Sequence, residues 1–539
     1  MRPLAAECLP PSWAASRFPA GLPAAQGLIA AGLLDRVGED GAVRDGCRSR
    51  VLESALTLAL LERHGHGHAG ARARLTRYLE CHRGGGLLDG VFAEAALGQR
   101  ERPLRPEVFD AVRDRVPDFA GARKRALVHA LLTMLGAAPG REDGEPAAFA
   151  LASLHPWAAV QVTAVKVVLG RAAGKPPAAA ELALLASTQR RGIVWEGNLL
   201  IHLSVLHALA GLPGMGATVE DGLRTALLHQ REDGGMPFVT DTDTWSTVTA
   251  GLALHTAGAP RRILHHVARH LVTVQQEDGG WSYTDRARLS DTDCTSVAVE
   301  FLHQLDPRAY RDAIRRGTDA LIAVRGPDGG FPTYGAGTPS EACMTAAAVN
   351  ALSTMERPPD AVVRSALHHL VNSRRQDGTF PPGWSSSRLH TFFRVHLAIG
   401  HSGRQATPAV RVMHERITSL VCADQRADGG FGQQDGSRSD AISTAYGLIV
   451  LAGRPDPAPA ARAARHLLSH VRPDGSVDSP PDMVGPRPFP YHVPVLAGAF
   501  ALLALGHLTS RIRPVRPLAP ALAQRTRAGA ERTLERTLP

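Results

Sequence analysis

The sequence predicts an all-α chain folded as two helical domains, the second a closed barrel of six helix pairs. Three observations predict it. A length of 539 residues exceeds what one ordinary domain holds. An Asp-Gly turn recurs at a near-constant interval through the second half of the chain, and the stretches between turns carry apolar residues at three- and four-residue spacing.

Composition sets the class first. With 44% hydrophobic and 21% charged residues the chain is neither disordered nor collagenous. It holds no run of about 18 apolar residues, so no transmembrane segment is expected, and the apolar stretch Val493 to Leu505 reads as a buried helix. The opening MRPLAAECLPPSWAASRF is interrupted by prolines and lacks an apolar signal core, so export is not expected. Six cysteines without a C-x-x-C pair or zinc-finger spacing read as reduced thiols of a cytoplasmic protein. Of the net charge of +9, the segment from Arg511 onward supplies +5, from seven Arg against Glu531 and Glu535. The body is mildly basic with only three lysines, which argues against a nucleic-acid partner.

The repeat reads QREDGGMPF at Gln230 to Phe238, QQEDGGW at Gln275 to Trp281, RGPDGGF at Arg325 to Phe331, RRQDGTF at Arg374 to Phe380, QRADGGF at Gln425 to Phe431 and VRPDGSV at Val471 to Val477. Its glycines, from Gly234 to Gly475, lie 45, 50, 49, 51 and 46 residues apart. Each interval holds two ordinary helices plus turns, as AISTAYGLIVLAG after Asp440 illustrates, and six such pairs close into a barrel of inner and outer helices. Asp bonds nearby backbone donors and Gly accepts positive φ, so the repeated residues are assigned to stability. Helical stretches such as VLESALTLALLERHG, with a weaker copy QRRGIVW at Gln189 to Trp195, place a second helical domain before the barrel. The expected organisation is a helical domain over 1–215, with room for its first helix to pack on the other barrel, a barrel over 216–510 and an Arg- and Pro-rich tail over 511–539.

The turns resemble the Q-x-x-x-G-x-W motif of the terpene and squalene cyclase superfamily; Gln275, Gly279 and Trp281 match it fully. The segment LSDTDCTSVAVEF that follows resembles two initiation motifs. Asp291, Asp293 and Thr295 match the D-x-D-D-T-A of class II terpene cyclases, whose middle Asp protonates an alkene; Asp293, Cys294 and Thr295 match the D-C-T-A of oxidosqualene cyclases, whose Asp protonates an epoxide. Further stretches, including Phe331 to Leu352 and Trp384 to Phe393, resemble bacterial class II diterpene and drimenyl-type cyclases; the likeness is good over residues 180 to 508 and poor before them. It implies the βγ arrangement of two α/α barrels with the active site between them. It also implies protonation-initiated cyclisation of a C20 geranylgeranyl or C15 farnesyl diphosphate with the diphosphate retained, and Mg²⁺ as cofactor.

Protonating an alkene needs a carboxylic acid kept protonated in a dry pocket, the role given to Asp293, with Asp291, Cys294 and Thr295 placed to orient or polarise it. The competing reading is a helix N-cap at Asp291 or Asp293. Cys294 stands where alkene-protonating members have Asp, which leaves open an epoxidised or non-diphosphate terpenoid substrate, meroterpenoids included. A non-catalytic or prenyltransferase-like barrel is the remaining alternative. The repeat register brings Trp245, Tyr334, Trp384, Phe392, Tyr446 and Tyr491 toward the barrel mouth, where rings stabilise a carbocation, or else fill the core. Aromatic content of only 5% favours a short cation sequence over a triterpene one. Arg123, Lys124 and Arg125 open a helical stretch and are candidates for the diphosphate, against a reading as a solvated basic face. Metal ligands are not identified: Glu39 and Asp40 of GEDG are weak candidates, and the HGHGH run from His64 to His68 reads as a loop.

Overall fold

In the computed structural model, residues 18–512 are described except for 65–66, 99–115, 117–119, 139–145, 153, 356 and 404–406. The tail after Ile512 and the Gly65 and His66 positions of the histidine run lie outside the described residues. Helix α1 (Leu22–Leu34) is followed by α2 (Val51–His64), α3 (Ala69–Cys81), α4 (Leu87–Ala96), α5 (Gly121–Met134), α6 (Pro156–Ala172), α7 (Ala179–Ser187), α8 (Leu199–Leu209) and α9 (Gly216–Leu227). Then come α10 (Asp243–Thr256), α11 (Arg261–Thr273), α12 (Thr292–Leu305), α13 (Arg311–Val324), α14 (Ala342–Ser353) and α15 (Asp360–Asn372). The last five are α16 (Leu389–Ser402), α17 (Pro408–Asp424), α18 (Ala441–Ala452), α19 (Ala458–Leu468) and α20 (Val495–Ile512).

Burial sorts the later helices into two rings. Every residue of α14 from Ala342 to Leu352 is buried, and α10, α12 and α18 are buried almost throughout. Helices apolar on all sides must be inner ones. Each of α10, α12, α14, α16, α18 and α20 packs on the next, and α20 returns to α10, so the ring closes. The outer helices bury one stripe only: α11 buries Leu264, Val267, Ala268 and Leu271, the i, i+3, i+4, i+7 spacing of an amphipathic helix. Helices α11, α13, α15, α17 and α19 fill five outer positions, and α1, packed on α20, α19 and α10, fills the sixth. Helix α20 is long and apolar enough to cross a membrane by length and composition; here it is the mostly buried inner helix that closes the ring.

The recurrent turn is a latch between neighbouring pairs. Gly279 has φ +89°, and a Cβ there would lie 2.5 Å from the Arg316 carbonyl oxygen on α13, so glycine is required twice over. Gln275 Nε2 donates to the carbonyls of Gly279 (2.7 Å) and Ala313 (2.9 Å), pinning the turn to the next outer helix. Asp278 accepts from Gly280 N (2.9 Å) and Ser290 Oγ (2.8 Å). Trp281 is fully buried, with Nε1 donating to Leu271 O at 2.7 Å.

One assignment made from the repeat is corrected. The copy at 230–238 does not serve the barrel: Met236 N donates to Ser54 Oγ on α2 (2.8 Å), Asp233 accepts from Ser49 Oγ (2.6 Å), and Met236–Pro237 pair with Ser49–Arg50. The barrel's matching turn is GEDG. Gly41, at φ +88°, sits against His266 O of α11, and Val43 N donates to Thr247 Oγ1 of α10 (2.8 Å), as Trp281 N does to Thr295 Oγ1 of α12 (2.9 Å). The chain therefore leaves the barrel after α1, builds α2 to α9, and re-enters at α10. In that inserted region α2 packs on α4 and α8, and α6 on α5 and α8, with α3, α7 and α9 outside. Asp40 is accordingly a turn residue: it accepts from Ala42 N (3.2 Å) and from Arg44 (2.8 Å), whose guanidinium holds its carboxyl well below the usual range.

Candidate active site

A cavity of about 440 Å³ lies between the inserted region and the barrel. Arg123, Lys124 and Leu127 of α5, Trp157 and Gln161 of α6 and Ile201 of α8 form one wall; Trp245, Tyr283, Asp291, Asp293, Cys294, Tyr334, Trp384, Arg487 and Tyr491 form the other.

The start of α12 shows why two aspartates two residues apart differ. Asp291 is the N-cap: its backbone is extended (φ −123°, ψ 154°) and its carboxylate accepts from Cys294 N at 2.7 Å. The N-cap reading thus holds for Asp291 and not for Asp293, which lies in the first turn with its side chain on the cavity. Burial pushes Asp291 up to about 7, against the Cys294 N–H bond. The same burial keeps the Cys294 thiol protonated beside that carboxyl, with both aspartates adding to the effect. Thr295 is not part of the cavity wall; as an acceptor for Trp281 N it belongs to the latch, so it does not orient the acid.

Asp293 is pushed up by burial and pulled back by Arg394. Arg394 Nη2 lies 2.8 Å from Asp293 Oδ1, with side chains only 6% and 12% exposed. That contact is a charge pair without hydrogen-bonding angles, and Asp293 Oδ1 has no hydrogen-bond partner among the described residues. Two turns further along α12, buried Glu300 accepts from Gln304 Nε2 (3.0 Å) and Asn350 Nδ2 (2.5 Å). Burial raises Glu300 to about 7, and the charge of Arg394 opposes that rise as well. One guanidinium is therefore shared by two buried carboxyls and balances only one of them. Amide donors help Glu300 carry a charge, whereas only the charge of Arg394 opposes the burial that keeps Asp293 protonated.

Four of the six aromatic candidates, Trp245, Tyr334, Trp384 and Tyr491, line the cavity, and two do not. Phe392 packs edge-on against Phe380 (6.2 Å), and Tyr446 stacks on Phe393 (4.8 Å) and donates to Asp482 at 2.9 Å, both inside the barrel. The offset counted from glycine fails because the loops differ in length: α16 starts after Arg388, so Phe392 lies further into its helix than Asp293 does, rotated about 100° per residue from the mouth. Arg125 is likewise corrected: it is exposed and outside the cavity, one residue around α5 from Lys124. Burial and the charge of Arg487 lower Lys124 to about 7.

Sequence reasoning missed Trp157, Tyr283, His155, Arg394 and Arg487 as site residues. Trp157 stands edge-on to Tyr283 (5.5 Å) and Tyr334 (5.2 Å), while Arg487 covers the Trp384 ring at 4.3 Å and pairs with Glu341. Arg394 had a signal: a lone cation in the apolar run LHTFFRVHLAIG.

The described residues do not assemble a divalent-metal site. Among them no group of three His, Cys, Asp or Glu converges, and of the cavity carboxyls Asp291 caps a helix while Asp293 and Glu341 face arginines. The donors Arg123, Lys124 and Arg487 suit an anion.

The sequence matches the prenyltransferase α-α toroid domain over residues 203–409 and 410–473. It is 39% identical over 508 residues to a drimenyl diphosphate synthase of Streptantibioticus cattleyicolor, covering 89% of this chain and 93% of that one. It is 36% identical over 512 residues to the drimenyl diphosphate synthase of Streptomyces showdoensis, with the same coverage. The ent-copalyl diphosphate synthase of Streptomyces platensis shares the fold, with a TM-score of 0.60 at 21% identity over 91% of this chain and all of that one. A closed double ring of helices, an inserted helical domain and relatives this similar over nearly the whole chain agree on one assignment: the chain belongs to the class II terpene cyclases and is a prenyl diphosphate cyclase.

Proposed function

We propose that the enzyme cyclises farnesyl diphosphate to a bicyclic C15 diphosphate, with Asp293 as the general acid. The observation that carries the acid assignment is the carboxyl itself: on the cavity wall, buried, without a hydrogen-bond donor on Oδ1, beside an arginine whose charge also acts on Glu300. Asp293 gives its proton to the terminal alkene, and the central and then the diphosphate-proximal double bond each attack the cation before them, closing two rings in turn. A proton then leaves a carbon beside the last cation, so the formula is unchanged and the diphosphate stays attached. Trp245, Tyr334, Trp384 and Tyr491 present ring faces to the moving charge. The relatives' name, a C15 product, and a cavity near the small end of the ligand-site range support the shorter substrate.

Arg123 and Lys124 hold the diphosphate on the inserted domain's wall, and Mg²⁺ accompanies that anion. A cytoplasmic setting is part of the same reading, supported by the five free thiols among the described residues. Incubation with farnesyl, geranylgeranyl and epoxidised farnesyl diphosphates plus Mg²⁺ tests it: a bicyclic C15 diphosphate is expected, and turnover of the epoxide alone, or release of the diphosphate during cyclisation, overturns it.

A further inference from the structure

We propose that Glu196 is a positioning residue that sets the orientation and electron density of the aromatic wall, and thereby the product. This rests on the carbocation chemistry proposed above. Among the described residues Glu196 is the one non-glycine residue at positive φ (54°), a conformation that L side chains adopt only when their surroundings hold them there. Three hydrogen bonds do so. Its Oε2 accepts from Trp157 Nε1 at 3.0 Å and from Arg288 N at 2.7 Å, and its backbone carbonyl accepts the Tyr283 hydroxyl proton at 2.6 Å.

The partners come from two parts of the chain that meet at the cavity. Trp157 belongs to α6 of the inserted region, whereas Tyr283 and Arg288 lie in the barrel loop that leads into Asp291. One residue thus fixes both edges of the Trp157–Tyr283–Tyr334 cluster, whose rings meet at 5.5 and 5.2 Å. An indole N–H given to a carboxylate also leaves the ring more electron-rich, which strengthens its attraction for a cation on its face. Tying two domains together would need neither a strained backbone nor a carboxylate on an indole that lines the cavity.

The test compares Glu196→Gly, which suits the positive φ and removes the carboxylate, with Glu196→Gln, which keeps an acceptor, and with Trp157→Phe. The readouts are unfolding temperature, kcat, KM and product ratio with farnesyl diphosphate. Glu196→Gly is expected to unfold within a few degrees of wild type and to keep KM within twofold. Its kcat falls about tenfold, and a larger share of its product is monocyclic or prematurely quenched. Glu196→Gln restores most of the bicyclic product, and combining Glu196→Gly with Trp157→Phe does little further harm. A Glu196→Gly enzyme with the wild-type product ratio and kcat, or one that only unfolds earlier with its product ratio unchanged, overturns the role of Glu196. A wild-type protein that cyclises none of the diphosphates overturns the functional reading instead.

Discussion

Replacing Arg394 with methionine removes the guanidinium 2.8 Å from Asp293 while keeping the length and bulk of the side chain. With both side chains almost shielded from water, screening is weak, and an effective dielectric of about 20 gives an attraction of ~6 kcal/mol at that distance. Burial opposes Arg394 and Glu300 shares its charge, so we expect about one to two pH units of displacement. The sign follows from the role. Asp293 acts protonated, so kcat falls as pH rises through its pKa; without Arg394 that pKa goes up and the alkaline limb moves to higher pH. A weaker acid also lowers the plateau, by about tenfold. Glu300→Gln has the opposite effect, because Arg394 then faces Asp293 alone, and its limb moves to lower pH. The other titratable groups near Arg394 and Asp293, namely Asp291, Cys294, Cys343, His390 and Tyr446, are the same in both variants. The assay is kcat with saturating farnesyl diphosphate from pH 5 to 9, with thermal unfolding as the folding control. Limbs that stay put, or move together, refute the shared-cation reasoning.

Three other outcomes are expected. Gly41→Ala costs about 2 kcal/mol or more, read as a lower unfolding temperature, because its Cβ would meet His266 O at 2.5 Å with φ at +88°, whereas Gly84→Ala, with open space around it, is neutral; a neutral Gly41→Ala would contradict the latch placed there. Asp482 is raised to about 7 by burial, so its proton contributes stability that is complete below its unfolded value of 3.8 and is lost as pH rises toward 7. Asp482→Asn should therefore gain on wild type by about 1.4 kcal/mol per pH unit across that window, and a difference in unfolding temperature that does not grow with pH would contradict this. Arg123→Met with Lys124→Met should raise KM for farnesyl diphosphate at least tenfold with a smaller change in kcat, and an unchanged KM would remove both from the anion site.

The barrel was legible because its turns repeat a chemical necessity: a glycine at positive φ packed on the next outer helix leaves the same Asp-Gly signature in each interval. The packing of the first helix on the barrel was allowed for, but the turn that follows it was hidden, because GEDG lacks both the glutamine and the aromatic residue of the full motif and stands far from the other copies. The place of Asp293 on the cavity wall was readable because the motif it resembles is contiguous. Trp157 and Glu196 were not, since a tryptophan in an alanine- and valine-rich helix reads as core, and nothing local records a hydrogen bond across a domain boundary. Phe392 went astray because register counted from a turn is lost once loops differ in length, and Tyr446 because it lies nearly a turn further into α18, inside the barrel.

The decisive measurement is single-turnover cyclisation of farnesyl diphosphate in D₂O by wild type and by Asp293→Asn. Wild type should place one solvent-derived deuterium on the carbon that initiates cyclisation and keep the diphosphate. The Asn variant should bind substrate with similar affinity and turn over at least about a thousandfold more slowly. Turnover by Asp293→Asn within tenfold of wild type, or a product without that deuterium, would contradict Asp293 as the acid.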